Sequence, residues 1–594
     1  MAMRSFRDRE RRIETALLLA VLALAAGLRL WRLEDHGFGN PYYAAAVRSM
    51  TESAHLFFYN AFDPAGFLSL DKPPVAFWIQ SVFALVLGYS GWVLHLPQVL
   101  AGVASVAILY HLVRRDFGPS AGLIAGLLLA ITPIAVAVDR SNNTESWLTF
   151  FLLLAAWAAL RGRGRSLAIA MALLGVAFNV KMLAAFACGP ALLAGWLMAS
   201  PPGWWRRLGW MTVSAVVLGV VSLSYAVAYD LIPASHRPHV ASSSGNSMLE
   251  LIVVHNGIER FDPTSLPNIG LLAYVKLYDK VPVGPFRLAT PMLAGQVGWL
   301  APLALLGVLA WRRRDGGAAP LALWGIWALT YGIVYSVAGG IFHAYYLSTM
   351  APPLAALAGV ACVDLWRRGP GWLALGLAAT AAWQAFLVVN TLGWQSAWLG
   401  LPLVVLLAAA AMPWRARHAA AALAGAALFA LPLAWSLSAV LSPGNFSLPS
   451  ASLPRALGLS DGRGPILSRD WPPLTDDPKL VDFLLAHRGG ARFIAATPTQ
   501  PNAASLIIRS GQPVLAFGGF YGVDRLLSVE QLQDMARRGE IRYAIVSTVD
   551  PMSPVTEWVL TTGTLVPETQ WSSRRWDANR SLLLYDLKSD QADR

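Results

Sequence analysis

The sequence predicts a polytopic α-helical membrane protein of about thirteen spans with a small C-terminal α/β domain outside the cytoplasm, each span being about 20 apolar residues. Three observations predict it. Of 594 residues, 56% are hydrophobic and 13% charged, where soluble domains carry about 25% charge. Arginines collect in small clumps at the ends of apolar segments. From about Thr475 the composition changes, with more charge and short β-rich runs between amphipathic helices.

The candidate spans are the windows 13–33, 92–113, 119–138, 143–160, 166–181, 183–199, 208–229, 294–311, 319–337, 344–364, 372–390, 397–412 and 418–440. The first follows the basic stretch Met1 to Arg12 and reads as a span, because its apolar part exceeds a signal h-region and it runs into Glu34-Asp35 without a small-residue cleavage site. Asn179-Val180-Lys181 interrupts the apolar sequence between 166 and 199. One bent crossing fits there, while the charge pattern prefers two short ones. Arg4 to Arg12, Arg114-Arg115, Arg161 to Arg165, Arg206-Arg207, Arg312 to Arg314, Arg367-Arg368 and Arg415 with Arg417 then share one side. By the positive-inside rule that side is cytoplasmic, and an odd number of spans puts the C-terminal region outside.

The net charge of +12 is spent on these clumps and forms no single basic face, which excludes nucleic-acid binding. Cys188 and Cys362 both lie in apolar segments, so neither a disulfide framework nor a thiolate metal site is expected. No HExxH, no phosphate-loop lysine and no GxSxG with an obvious partner occurs, leaving zinc and serine hydrolysis without support.

Four regions lie outside on this reading: the first loop 34–91, a short loop at Asp139 to Glu145, a long loop 230–293, and the tail. Pro41 to Thr51 and Pro73 to Leu87 have helical apolar spacing suited to lying in the interface. In the tail, Arg492 to Ala496, Val514 to Phe517, Tyr543 to Val546 and Leu582 to Leu587 read as strands. Lys479 to His487, Ala503 to Ser510, Val529 to Arg538 and Val555 to Thr562 read as helices between them. This pattern is a small α/β domain with a mainly parallel sheet, covering 475–594 and joined to the membrane domain 1–440 by a Pro, Ser and Gly-rich linker, 441–474.

Ionisable groups near a membrane are costly unless paired or functional. Asp71 and Lys72, before Pro73-Pro74, read as a base and a phosphate-binding cation, or as a solvated loop end before a helix. Asp139, Arg140, Asn143 and Glu145 sit between two windows. Capping by Asn143 or Thr144 explains only part of that set. Lys181 either reaches a phosphate or snorkels. His343, Tyr345 and Tyr346 open a span as hydrogen-bond donors or as an aromatic belt. His255, Asn256 and Arg260 follow the Ser/Gly run Ser242 to Asn246, a flexible loop or a lid. Gly518 to Gly522 lacks the full spacing of a phosphate-binding turn and reads as a strand exit.

The order of these features resembles the membrane glycosyltransferases of family 39. These belong to the GT-C superfamily with the protein O-mannosyltransferases and the lipid A aminoarabinose transferases, and the likeness is to a bacterial branch with an added extracytoplasmic tail. The stretches that carry it are Gly39 to Met50, Phe62-Asp63-Pro64 through Asp71-Lys72-Pro73-Pro74, Arg140 to Asn143, Asn246 through Gly257, Gly284 to Arg287 and His343 to Tyr346. The resemblance implies a polyprenyl-phosphate sugar donor, an acceptor outside, and inverting transfer. A loop carboxylate takes the acceptor proton and cations neutralise the departing phosphate. Many relatives place an Asp-Glu pair where this chain has Gly39-Asn40. The base role therefore passes to Asp71, with Asp63 second and Asp139 or Glu145 as orienting or metal-binding partners, a divalent cation remaining possible. Asn40, Tyr42, Tyr43, Lys72, Arg140, Asn143, Lys181, His255, Asn256, Arg260, His343, Tyr345 and Tyr346 form the expected donor-binding set.

The expected function is thus transfer of a polyprenyl-phosphate-linked hexose or pentose, by a glycosyltransferase of the bacterial cytoplasmic membrane, to a cell-envelope glycan, lipid or protein. A transporter of lipid-linked sugars would carry polar residues through the middle of the bundle, whereas here they gather on one face. An inactive scaffold whose tail recruits envelope proteins is the other alternative, kept open by the missing Asp-Glu pair.

Overall fold

The computed structural model describes residues 2–201, 203–262, 281–309, 318–412, 417–441, 447–451, 475–547, 552–573 and 582–588. Arg312 to Arg314, Arg415 and most of the 441–474 linker lie outside the described residues. The chain divides into two compact units. One comprises Met1–His36, His95–Ser222 and Tyr278–Ile466, the other Gly37–Leu94, Leu223–Leu277 and Leu467–Arg594.

Among the described residues, eight helices are long and apolar enough to cross a membrane, or up to ten with two bent pairs each taken as one span. Every window read from the sequence has a helical counterpart, but several are too short or too bent to count as independent crossings by that measure, Glu145–Ala159 and Ala397–Ala411 among them. Pro119–Ala130 meets Pro133–Asp139 at 60°, and Pro291–Val297 meets Ala301–Val308 at 67°. Pro133 at the start of its helix has no N–H to continue the ladder. The stretch 164–199 is broken where Asn179-Val180-Lys181 interrupts it. Gly164–Lys181 ends, Met182 takes a positive φ of 45°, and a 3-10 turn Met182–Cys188 leads into Gly189–Ala199.

The first unit packs helix on helix through small residues, the means by which helices approach when lipid offers no hydrophobic contrast. Ala351–Arg368 lies against both Pro119–Ala130 and Ala301–Val308. At the second contact a Cβ on Gly307 would sit 2.2 Å from the Leu357 carbonyl oxygen, so only glycine allows that approach.

In the second unit one hydrophobic core joins the first loop to the tail. Tyr42, Tyr43, Val47, Met50, Phe62 and Phe77 share it with Leu480, Leu484, Ile494, Ile507, Tyr543 and Leu584. Pro41–Met50, expected at a membrane interface, is instead a core helix packed on Gln500–Ser510 of the tail. Its alanines at 44–46 are fully buried because a second helix lies where lipid was expected. Val75–Leu87 keeps exposed Val82, Leu85, Val86 and Leu87, a face fit for lipid.

The tail holds a five-stranded sheet: β1 Ala496–Thr497, β2 Leu515–Ala516, β3 Tyr543–Ser547, β4 Thr564–Leu565 and β5 Leu582–Asp586, in the order β2-β1-β3-β5-β4. β1 runs parallel to β2 and β3, but β5 is antiparallel to both β3 and β4. The sheet is therefore mixed and not mainly parallel, because β5 returns antiparallel along β3, a direction that strand patterning does not reveal, and β4, with two exposed residues, adds a second antiparallel pair.

Gly307→Ala is expected to cost about 1–3 kcal/mol through overpacking, read as a lower melting temperature of the purified protein in detergent. An unchanged melting temperature would contradict the close approach at Leu357.

Candidate active site

A tight hairpin presents Asp71 and Lys72. Asn60, in a left-handed conformation at φ 53°, accepts the Leu70 N–H at 3.0 Å through its carbonyl, and its side chain donates to the Lys72 carbonyl at 2.9 Å. Ala61 and Ser69 form an antiparallel bridge. Asp63 fastens the turn. Its Oδ1 accepts the Ala65 N–H at 2.9 Å, and its Oδ2 accepts those of Phe67 and Leu68 at 3.0 and 2.9 Å. With both oxygens accepting backbone N–H groups and 1% of its surface exposed, Asp63 staples the loop, and burial pushes its carboxyl up to about 6.

Asp71 meets three partners in the same unit. Lys72 Nζ lies 2.6 Å from Oδ2, His255 Nε2 lies 3.7 Å from Oδ2, and the Tyr42 hydroxyl donates to Oδ1 at 3.2 Å while accepting the Asp71 N–H at 3.0 Å. Burial alone would raise the Asp71 pKa, but Lys72 and His255 more than offset it and hold the carboxyl well below the usual carboxylate range. Burial lowers the pKa of Lys72, the Asp71 carboxylate resists that, and the Arg260 guanidinium adds to the fall. Buried Lys72 thus pairs with the Asp71 carboxylate while the half-buried Arg260 adds a second positive charge to its surroundings.

His255 closes a π-helical turn, Leu251–His255, a geometry frequent at functional sites. Glu259 fixes its ring through Nδ1 at 2.8 Å, and Arg260 Nη2 donates to Asn256 Oδ1 at 3.2 Å. Glu259 was not singled out from sequence, although its spacing of four from His255 carries the signal. Asp524 was also missed. It hydrogen-bonds the Ser242 backbone. Burial pushes its carboxyl up to about 6, with His255 pulling down and Asp71 and Glu259 adding to the rise.

Two expected ligand residues of this unit have structural work instead. Asn40 caps Pro41–Met50, its Oδ1 accepting the Tyr42 N–H at 3.1 Å. Tyr43 is a core residue with its ring 4.9 Å from Phe77.

The remaining expected residues belong to the first unit. Asp139 Oδ2 accepts from Arg29 Nε at 2.7 Å and Oδ1 from Ser146 at 2.6 Å. Arg140 donates to the Leu28 and Arg29 carbonyls at 3.1 and 2.9 Å, closing the end of the first helix. The Asn143 side chain donates to Ser141 Oγ at 3.2 Å. Glu145 is ion-paired with Lys181, whose ammonium stands 3.9 Å over the Tyr346 ring and 5.0 Å from the Tyr345 centroid. His343 stacks on Tyr345 at 5.1 Å. Arg29, Asp139, Glu145, Ser146 and Ser348 line one cavity together with Leu129, Ala135 and Val138, and Lys181, where the helix breaks before Met182, pairs with its Glu145. Among the described residues, no group of three His, Cys, Asp or Glu side chains is arranged to hold a metal ion.

Residues 71–225 match the family described as "Dolichyl-phosphate-mannose-protein mannosyltransferase", and 480–562 match "Putative mannosyltransferase YkcB-like, C-terminal". "Putative mannosyltransferase YycA" of Bacillus subtilis is 32% identical over 96% of this chain and 96% of its own length. The chain belongs to the GT-C glycosyltransferases of bacteria, in their mannosyltransferase-like branch. This glycosyltransferase is also 27% identical, over 66% of its length and 67% of the relative's, to the undecaprenyl phosphate-alpha-4-amino-4-deoxy-L-arabinose arabinosyl transferase of Pseudomonas paraeruginosa. The ArnT structure from Cupriavidus metallidurans bound to undecaprenyl phosphate shares its fold, with a TM-score of 0.58 at 18% identity over 98% of both chains. It is a multi-pass membrane glycosyltransferase that uses a lipid-linked sugar.

In this glycosyltransferase Asp63→Ala is expected to cost about 1–3 kcal/mol, since three buried N–H groups lose their acceptor, whereas Asp71→Asn should cost about 3–5 kcal/mol, because it strands the buried Lys72 charge. Thermal unfolding of both variants checks the contrast. Equal stability of Asp63→Ala and wild type would contradict the staple.

Proposed function

We propose that this protein transfers a hexose, with inversion, from a polyprenyl-phosphate donor to a hydroxyl of an extracytoplasmic acceptor: a cell-envelope glycan, a lipid or a protein. Mannose is the first sugar to test, given the names of its relatives. The N-terminus is cytoplasmic and the C-terminal domain extracytoplasmic in this reading, on the strength of the arginine clumps.

The observation that carries it is the buried Asp71–Lys72 pair with the Arg260 charge beside it. Without donor, Lys72 neutralises Asp71 and the carboxylate is a weak base. A donor phosphate brings an anion that competes for Lys72 and relieves its repulsion with Arg260. Asp71 then loses its strongest stabilising partner and its proton affinity rises, so donor binding itself readies the base. His255 and Tyr42 stay behind to hold the carboxylate in place.

In the transfer step the acceptor oxygen attacks the anomeric carbon on the face opposite the phosphate. The bond from that carbon to the phosphate oxygen breaks, and the hydroxyl proton passes to Asp71. The phosphodiester leaves as a phosphomonoester with one more negative charge, which Lys72 and Arg260 take up. No protein nucleophile and no second displacement are needed, because one inversion completes the exchange.

The test is sugar transfer by the purified protein in lipid vesicles supplied with short-chain polyprenyl-phosphate hexoses and an envelope extract. Asp71→Asn should lose about 10²–10⁴-fold in turnover, the usual worth of a positioned base, with donor binding retained. Lys72→Met should chiefly raise the donor KM. Full activity of Asp71→Asn would overturn the assignment, and no turnover of any donor by folded wild type would favour a scaffold.

A further inference from the structure

The C-terminal domain carries polar groups that the reaction above does not use. β1 and β2 are parallel neighbours, so the loops leaving their C-terminal ends emerge side by side, and β3 pairs with the other edge of β1. The strand order reverses between β1 and β3, so the loop leaving β1 borders the switch point where open α/β sheets take ligands, and the loop leaving β2 lies next to it. The ladder continues past both strands, with the Phe517 N–H donating to the Thr497 carbonyl at 3.0 Å and the Gly518 N–H to the Pro498 carbonyl at 3.0 Å. The Gln500 N–H donates to the Gly519 carbonyl at 2.9 Å, and the Asp524 N–H to the Gly518 carbonyl at 3.0 Å, tying both loops together.

Gly519 has φ 71°, and a Cβ there would lie 2.0 Å from Asp524 Oδ2, so the turn is wrapped around that carboxylate. Gln500 opens the helix Gln500–Ser510, is 0% exposed, and has neither amide atom paired among the described residues. A buried primary amide left without partners is costly and calls for a reason, of which a bound ligand is one. Phe520 of the same turn stands edge-on to Tyr42, whose hydroxyl bonds Asp71, at 5.1 Å. The turn therefore faces the residues that meet the donor phosphate, and the sugar is one bond from that phosphate.

Resting on the function proposed above, we propose that Asp524 and Gln500 form a hydroxyl-binding subsite for the sugar of the donor, making the C-terminal domain part of the transfer site. A carboxylate accepts from hydroxyls and a primary amide both donates and accepts, which is the pairing that vicinal ring hydroxyls require. The tail then reads which sugar is moved, while Asp71, Lys72 and Arg260 handle the bond that all donors share. The same chemistry would suit a sugar acceptor. The contact of its turn with Tyr42, and the closeness of Asp524 to His255 and Asp71, assign the subsite to the donor.

The experiment crosses enzyme variants with donor analogues. Short-chain polyprenyl-phosphate mannose and its monodeoxy analogues are offered to wild type, Asp524→Ala, Asp524→Asn and Gln500→Leu in vesicles, reading kcat/KM with and without acceptor. With the full sugar, Asp524→Ala should lose about 10–100-fold, the worth of a hydrogen bond to a charged group. With the one analogue lacking the hydroxyl that Asp524 holds, wild type and Asp524→Ala should be alike. Gln500→Leu should show the same cancellation with a neighbouring position. If Asp524→Ala does not fold, Asp524→Asn, which keeps the turn's shape, gives the same comparison. Cancellation should persist in slow donor hydrolysis without acceptor. Equal loss on every donor, no loss at all, or cancellation only when acceptor is present would each overturn the donor subsite. Failure of wild type to use any polyprenyl-phosphate mannose would instead count against the function proposed above.

Discussion

The ion pair of Asp71 and Lys72 is the constraint from which the rest of the second unit follows. Both side chains are close to nine-tenths buried, and removing one partner of such a pair costs about 3–5 kcal/mol because a buried charge is stranded. The surroundings are built to hold that pair. Tyr42 comes from a helix packed between the first loop and the tail, Asn60 fixes the Lys72 backbone, and His255 is presented by a π-helical turn with Glu259 behind it. In the proposed reaction a phosphate that arrives with its own charge would exchange one pairing for another at little net electrostatic cost, and that exchange would couple donor binding to base strength without any large movement of the chain.

The first unit obeys the same rule in a harsher solvent. Ionisable groups among membrane helices persist when each has a partner. Arg29 pairs with Asp139 and Lys181 with Glu145, and the aromatic faces of Tyr345 and Tyr346 share the Lys181 charge. Gly102 leaves room for one of them, since a Cβ there would lie 2.2 Å from the Asp139 carboxylate, and Gly307 against Leu357 and Gly359 against Ala121 allow close helix approach elsewhere in the unit. Positive φ at Met182 breaks a long apolar stretch so that a lysine meets a glutamate.

Much of this was legible in the sequence. Apolar windows and arginine clumps gave the helices, and alternating β-rich runs gave four of the five tail strands within a few residues, because both signals are local. Asp71, Lys72, His255 and Arg260 stood out as charges in a hydrophobic chain and come together in one unit. What failed was local chemistry with two meanings. Asn40 before a proline and Tyr43 beside Tyr42 look like ligand residues, yet one is a helix cap and the other core. Asp63-Pro64-Ala65-Gly66 carries the signature of an Asp-fastened turn as well as a base's carboxylate. Pro41–Met50 looked interfacial because sequence does not reveal that a tail helix covers it. Asp524 and Gln500 were invisible for the same reason, since only tertiary packing carries them to the first loop's core.

The most direct test of the central claim is the affinity of undecaprenyl phosphate for wild type, Lys72→Met, Asp71→Asn and the double variant. Competition between phosphate and carboxylate for one lysine predicts that Asp71→Asn binds the lipid phosphate more tightly than wild type, that Lys72→Met binds it more weakly, and that the gain from Asp71→Asn shrinks when Lys72 is absent. Weaker or unchanged binding by Asp71→Asn, or strictly additive effects in the double variant, would contradict the exchange of partners at Lys72.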